Sequence, residues 1–248
     1  MIRYSGWTHT GRVRKNNEDH YQIAPLTGEG LLFLVADGIG GSAGGEVASR
    51  LAVETAVDRL VSTSYKDDKE CREEIKTAVK AAHSAVLNRA KADPVLNGMG
   101  TTLTLLALIN RHGWVAHVGD SRAYQYREGK LVQITQDHSL AQEWVRNGKI
   151  SEEEALFHPY RNMLTRALGV EPLPDPDMIS LDLKPGDRIL LCSDGLSNMV
   201  SDARLEEILG SVTDMEYLCA LLGQEALNRG GHDNITLIGV LVEEEKES

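Results

Sequence analysis

Three apolar runs rich in β-branched residues each meet an aspartate at one end. Residues 31–36 lead into Asp37, residues 189–193 lead into Asp194, and residues 235–240 leave Asp233. Runs of this length, bounded by glycine and aspartate, predict buried strands. Antiparallel neighbours reverse direction, so a residue before one strand and a residue after its neighbour share a sheet edge. Such pairing collapses long separations in sequence to a few ångströms. Asp120 ends another apolar run, and Glu18 and Asp19 open a further one.

A single Asp-Gly is an ordinary turn. Its recurrence at strand edges, in Asp37-Gly38 and Asp194-Gly195 with Asp233-Asn234 beside them, makes a candidate metal site. Oxygen donors, with no thiolate pair and no histidines at paired ligand spacing, select hard cations such as magnesium or manganese over zinc or copper.

Charge and cysteine usage narrow the class. The 26 basic and 37 acidic residues leave a net charge of -11, which argues against nucleic acid and anionic membrane surfaces as partners. Bound cations would account for part of that acidity. Cys71, Cys192 and Cys219 are an odd number without Cys-x-x-Cys spacing, so a reducing, cytoplasmic setting is expected rather than a disulfide framework or thiolate zinc site. No run reaches the roughly 18 apolar residues that span a bilayer, and Met1 is followed by no signal segment. With no linker or repeat in 248 residues, 1–248 is expected to be one domain.

Strands are expected over 2–9, 19–24 and 31–36, after which the glycine-rich segment 38–45 turns the chain. Helical spacing follows over about 47–61 and 67–92. Residues 101–109, 114–118, 123–126 and 131–134 read as strands with short links, hence antiparallel neighbours. Segment 139–176 has poor apolar periodicity and is broken by Pro159, Pro172, Pro174 and Pro176, so it reads as a subdomain inserted over one edge. Strands return at 178–183 and 188–193, helices at 202–209 and 215–228, and a last strand ends near 242. The class is α+β, a two-layer sheet core flanked by helices.

Three other chemistries have partial signatures. Gly40, Ser42 and Gly44 match the serine-hydrolase nucleophile elbow, the rival enzyme reading, although too little chain precedes Ser42 for the strands and oxyanion loop that fold needs. Gly38, Gly40 and Ala43 imitate a dinucleotide fingerprint, but Asp37 would repel a pyrophosphate. A cysteine phosphatase needs arginine six residues after its nucleophile; Thr77, Asn198 and Glu225 stand there instead.

Six motifs in order, Arg14-Lys15-Asn16-Asn17-Glu18-Asp19, Asp37-Gly38-Ile39-Gly40-Gly41, Gly100-Thr101-Thr102, Val118-Gly119-Asp120-Ser121-Arg122, Cys192-Ser193-Asp194-Gly195 and Gly231-His232-Asp233-Asn234, resemble the metal-dependent type 2C serine/threonine protein phosphatases. The Asp-Gly-x-Gly-Gly turn and compact length are similar to the bacterial members. This resemblance implies a four-layer α+β sandwich, two central antiparallel sheets with helices outside, and a flap beside the active site over about 139–176. It implies two Mn²⁺ or Mg²⁺ ions bridged by Asp37. Asp194 and Asp233 would complete one shell, and Gly38 would offer its carbonyl to the other ion, served by Glu18 and Asp19 directly or through water. Asp120 with Asp194 would match a third site.

The activity so implied is hydrolysis of phosphoserine and phosphothreonine in proteins by a metal-activated water, without a phosphoenzyme. Arg14 would hold two phosphate oxygens through its planar fork. Implied partners are phosphoproteins and an opposing serine/threonine kinase, with the chain itself a monomer. The resemblance departs at the proton donor, because Ile39 and Ser42 occupy the family's histidine positions. Water, or one of His138, His158 and His232, is left for that task. A non-catalytic relative binding metal or a phosphorylated partner is the competing reading, against which the retained carboxylates and Arg14 weigh.

Overall fold

Alternation along the central strands sorts the apolar residues into three packed layers. In the computed structural model, which describes residues 1–27, 30–63, 67–109 and 112–243, the chain begins with strands β1 (Ile2–His9), β2 (Asp19–Pro25) and β3 (Leu31–Ile39). Helices α1 (Gly41–Val61) and α2 (Asp68–Ala92) follow, then strands β4 (Gly100–Thr101), β5 (Leu103–Ile109), β6 (His112–Val118), β7 (Arg122–Arg127) and β8 (Lys130–Gln133). Two short helices, α3 (Leu140–Arg146) and α4 (Glu152–Leu156), precede β9 (Asp177–Asp182) and β10 (Arg188–Cys192). The chain continues through α5 (Asp194–Ser197), α6 (Asp202–Ser211), α7 (Met215–Asn228) and β11 (Ile235–Val242).

The strands form two sheets with antiparallel pairing, ordered β1-β11-β10-β7-β8 and β2-β3-β5-β6-β9, with β4 beside β3. On β3, Phe33 and Val35 join Ile238 and Val240 of β11 between the sheets. Leu32, Leu34 and Ala36 face the other way, onto Ala52, Ala56, Ile75 and Val79 of α1 and α2. Leu237 and Leu241 of β11 likewise pack on Leu218 and Leu222 of α7. Covering both faces of both sheets explains the continuous apolar runs. The result is the four-layer α+β sandwich. Phe33 is fully buried, and its truncation to alanine would cost about 3–5 kcal/mol through lost contacts and a cavity.

The glycine-rich segment departs from expectation. It does not turn the chain after Ala36: β3 runs on through Asp37 and Gly38 to Ile39, because Gly38 and Ile39 pair with Thr101 and Gly100. A two-residue partner strand leaves no local pattern to predict this. Gly40, at φ 132, makes the reversal, and Gly41 already opens α1. Close approach explains the glycines, since a Cβ on Gly38 would lie 2.1 Å from the Gly45 carbonyl oxygen. The expected strand 101–109 is also divided at Thr102.

Segment 139–176 holds α3 and α4, each started by a serine. Ser139 accepts from Gln142 N–H, and Ser151 forms a reciprocal cap with Glu154. Isolated bridges Ser139–Leu164 and Thr101–Leu168 tie the segment back to the sandwich.

Candidate active site

Strand register delivers the carboxylates. Asp19 and Asp37 stand directly opposite each other on β2 and β3. In the other sheet β10 pairs with β11, Cys192 opposite Leu237, and Ser193 N–H donates to Thr236 O at 2.9 Å, so Asp194 after one strand lies beside Asp233 before the other. The turn between β6 and β7 carries Asp120. The shared-edge expectation thus holds for Asp194 and Asp233, while Asp19 and Asp37 arrive from the facing sheet. A cleft of about 470 Å³ spans the junction, lined by Arg14, Glu18, Asp37, Gly38, Asp120, Asp194 and Asp233, with Thr102, Asn162 and Leu164 among its other walls. Asp19 is not in that lining; it is buried, at 7% exposure.

Short polar bonds set these groups in place. Thr102 Oγ1 accepts from Asp37 N–H at 2.8 Å and shares a hydrogen bond with Ser121 Oγ, while Thr101 Oγ1 donates to Asp37 O at 2.9 Å. Ser193 Oγ donates to Asp19 Oδ2 at 2.7 Å. Asn234 is a hub: its Nδ2 donates to Thr10 O and Asn16 O, and its Oδ1 accepts from Glu18 N–H, each at 2.8 Å. Sequence reasoning met Thr101, Thr102, Ser193 and Asn234 only as neighbours of acidic residues. Their position inside recurrent motifs was the available signal.

Asp19 is buried and the other carboxyls are half-buried, and in the cleft lining they outnumber the cations Arg14 and Lys15. Burial pushes Asp37 well above the usual carboxylate range, and Asp19, Asp194 and Asp120 add to the shift. Burial raises Asp19 to about 7 against hydrogen bonds from Ser193 and Thr236. Asp194 rises to about 6 through burial and then Asp233, opposed by a hydrogen bond with Asp37. Burial followed by Asp194 raises Asp120, and burial raises Glu18 against the pull of Arg14. Arg14 Nη2 meets Asp233 Oδ2 at 2.8 Å, with the two side chains 52% and 35% exposed. An ion pair so wet is weak, which leaves the guanidinium free to exchange partners.

This donor set fits hard divalent cations. Like charges directly opposite on a ladder are destabilising, and Asp19 Oδ1 is buried with no hydrogen-bond partner. Among the described residues, no three His, Cys, Asp or Glu side chains form a ready cage for one ion. Magnesium-like ions need no such cage, since they keep several waters and take one or two carboxylates each. Carboxylates spread along one cleft suit that habit.

None of the three candidate histidines lines the cleft. His138 is fully buried, His158 packs against Trp144 and Tyr160, and His232 is exposed. The side chain of Ser42, on which the nucleophile-elbow reading turned, lies outside the described residues.

Comparison with known proteins agrees with this geometry. A sequence model of the family Protein phosphatase 2C matches residues 8–229. The serine/threonine phosphatase stp of Listeria innocua is 38% identical over 237 residues, 93% of this chain and 92% of that one. A solved serine/threonine phosphatase of S. agalactiae superposes with a TM-score of 0.94 at 32% identity, covering 98% of this chain and all of that one, 100%. The catalytic domain of the phosphatase PstP, solved in complex with 2 manganese ions, gives a TM-score of 0.86 at 36% identity, with 98% and 99% covered. With its fold and nearly its full length matched, the chain belongs to the protein phosphatase 2C family.

Proposed function

We propose that this serine/threonine protein phosphatase hydrolyses phosphoserine and phosphothreonine monoesters at the cleft between its sheets, with two Mn²⁺ or Mg²⁺ ions as cofactors. The observation that carries the reading is the convergence of Asp37, Asp194 and Asp233 from two sheets into one cleft under Arg14. Asp37 would be shared by both ions, Asp194 and Asp233 would hold one, and the Gly38 carbonyl with Glu18 and Asp19 would serve the other. Asp120 with Asp194 would hold a third. Once bound, the ions neutralise the phosphate dianion and acidify the water that attacks phosphorus.

The chain's own groups do the rest. Arg14 leaves Asp233 to grip two phosphate oxygens in its fork and set the ester in line. Thr101 and Thr102 fix the backbone on both sides of Asp37, so its carboxylate does not reorganise during the reaction. Asn234 holds the loop bearing Arg14 and Glu18 against Asp233. With no candidate histidine in the lining, the departing serine or threonine oxygen takes its proton from water.

Residues 1–248 act in this reading as one catalytic domain with a flap over about 139–176, monomeric, cytoplasmic and opposed by a serine/threonine kinase. Among the described residues no helix is long and apolar enough to cross a membrane. Hydrolysis of p-nitrophenyl phosphate with Mn²⁺, with EDTA, and after Asp37→Ala or Asp194→Ala tests the proposal. It expects activity with Mn²⁺ alone. Activity indifferent to EDTA contradicts it, and none with any divalent metal favours a non-catalytic binding role.

A further inference from the structure

His138, at the base of the flap, grips the turn that carries Asp120 with both its backbone and its ring. Its N–H donates to Gly119 O at 2.7 Å, and its Nδ1 accepts from Gly119 N–H at 3.1 Å. The turn has few alternatives. Gly119 has φ +114, and a Cβ there would lie 2.5 Å from Thr102 Cγ2. On the far side of the ring, Nε2 lies 3.2 Å from Asp177 Oδ2, while Arg166 Nη1 donates to Asp177 Oδ1 at 3.0 Å. Thr165, next to Arg166, donates its N–H to His138 O at 2.8 Å.

A neutral imidazole has one donor nitrogen and one acceptor. The Gly119 N–H needs a bare Nδ1, so the ring proton sits on Nε2, and Asp177 accepts it. Arg166 Nη1 is also 3.4 Å from Nε2, but a protonated nitrogen offers it no lone pair, and it stays with Asp177. Partners of this kind fix a histidine's tautomer and orientation.

We propose that His138 is a positioning residue, kept by Asp177 and Arg166 in the tautomer that fixes the Gly119–Asp120 turn, so that the base of the flap sets where Asp120 stands in the cleft. Its bearing on turnover rests on the phosphatase reading above; the tautomer does not.

Asp177→Asn tests it. Arg166 claims the amide oxygen, leaving the NH₂ toward Nε2, so the ring shifts its proton to Nδ1 and confronts the Gly119 N–H. Nitrogen-15 NMR of the metal-free protein reads the tautomer directly: Nε2–H in the wild type, Nδ1–H in Asp177→Asn. The variant should lose about tenfold in kcat on p-nitrophenyl phosphate with KM within about twofold. Adding Arg166→Leu frees the Asn oxygen to face the ring and should restore both the Nε2–H signature and most of kcat, whereas a merely structural role predicts a further loss. An Nδ1–H wild-type ring, an Asp177→Asn protein keeping Nε2–H and full kcat, or a double variant worse than the single overturns the proposal. A wild type that hydrolyses nothing yet shows the tautomer pattern sinks the phosphatase reading while upholding the His138 assignment.

Discussion

Ser193 Oγ donates to Asp19 Oδ2 at 2.7 Å, joining the end of β10 in one sheet to the start of β2 in the other. This buried bond joins the two sheets beside the carboxylate cleft, and with Thr236 it gives Asp19 polar partners from the facing sheet. Ser193→Ala would leave a buried carboxylate short of a donor, so the metal-free protein should lose about 1–3 kcal/mol in urea unfolding. Saturating Mn²⁺ should recover part of that loss, because a ligand that binds only the folded state stabilises it.

Asn234 satisfies two carbonyls and one amide of the 10–18 loop. Asn234→Ala strands all three, with a predicted cost on the order of 3 kcal/mol. Asn234→Asp should do no better, since its carboxylate would face the Thr10 and Asn16 carbonyl oxygens with no hydrogen to give. Denaturant unfolding of the two variants checks the order.

Arg14→Lys keeps the charge but replaces a planar fork by a point donor. Folding should be unaffected, because the Arg14–Asp233 pair is half exposed. Steady-state kinetics should show kcat/KM on phosphoserine peptides lower by about ten- to a hundredfold, or roughly 1.4–2.7 kcal/mol of transition-state stabilisation.

His117 gives the fold an acid limb. Burial, aided by His138 and opposed by Asp137 and Asp177, pushes its pKa down from 6.5 to about 4. A depressed folded pKa means that the neutral form is favoured in the native state. Its contribution is complete above pH 6.5 and drains away as pH falls toward 4, in total on the order of 3 kcal/mol. His117→Gln, which can still meet Thr104 and the Gln136 carbonyl, should flatten the stability-pH curve across that window. His138, whose pKa burial also lowers, would keep some slope.

Asp37, Asp194 and Asp233 were legible because each abuts an apolar run long enough to announce a strand, and strand ends are where a sheet can gather them. The order of strands and helices made a two-layer sheet core flanked by helices legible, while its arrangement as a four-layer sandwich came with the family resemblance. What could not be read depended on partners remote in sequence. Asp19 owes its burial to register with Asp37 and to Ser193 in the opposite sheet. The extension of β3 depends on a two-residue partner at Gly100–Thr101. The helical turn Asp194–Ser197 is too short to show periodicity. His138 looked like a possible acid because sequence shows a histidine's chemistry but not its burial.

Titrating Mn²⁺ into metal-free protein by calorimetry, with hydrolysis of a phosphothreonine peptide followed on the same samples, tests the shared carboxylate cleft most directly. At least two ions should bind per wild-type chain, and Asp37→Ala should lose both ions and turnover together. An Asp37→Ala protein that still binds two ions and cleaves the peptide, or a wild type that cleaves it in excess EDTA, would contradict the account.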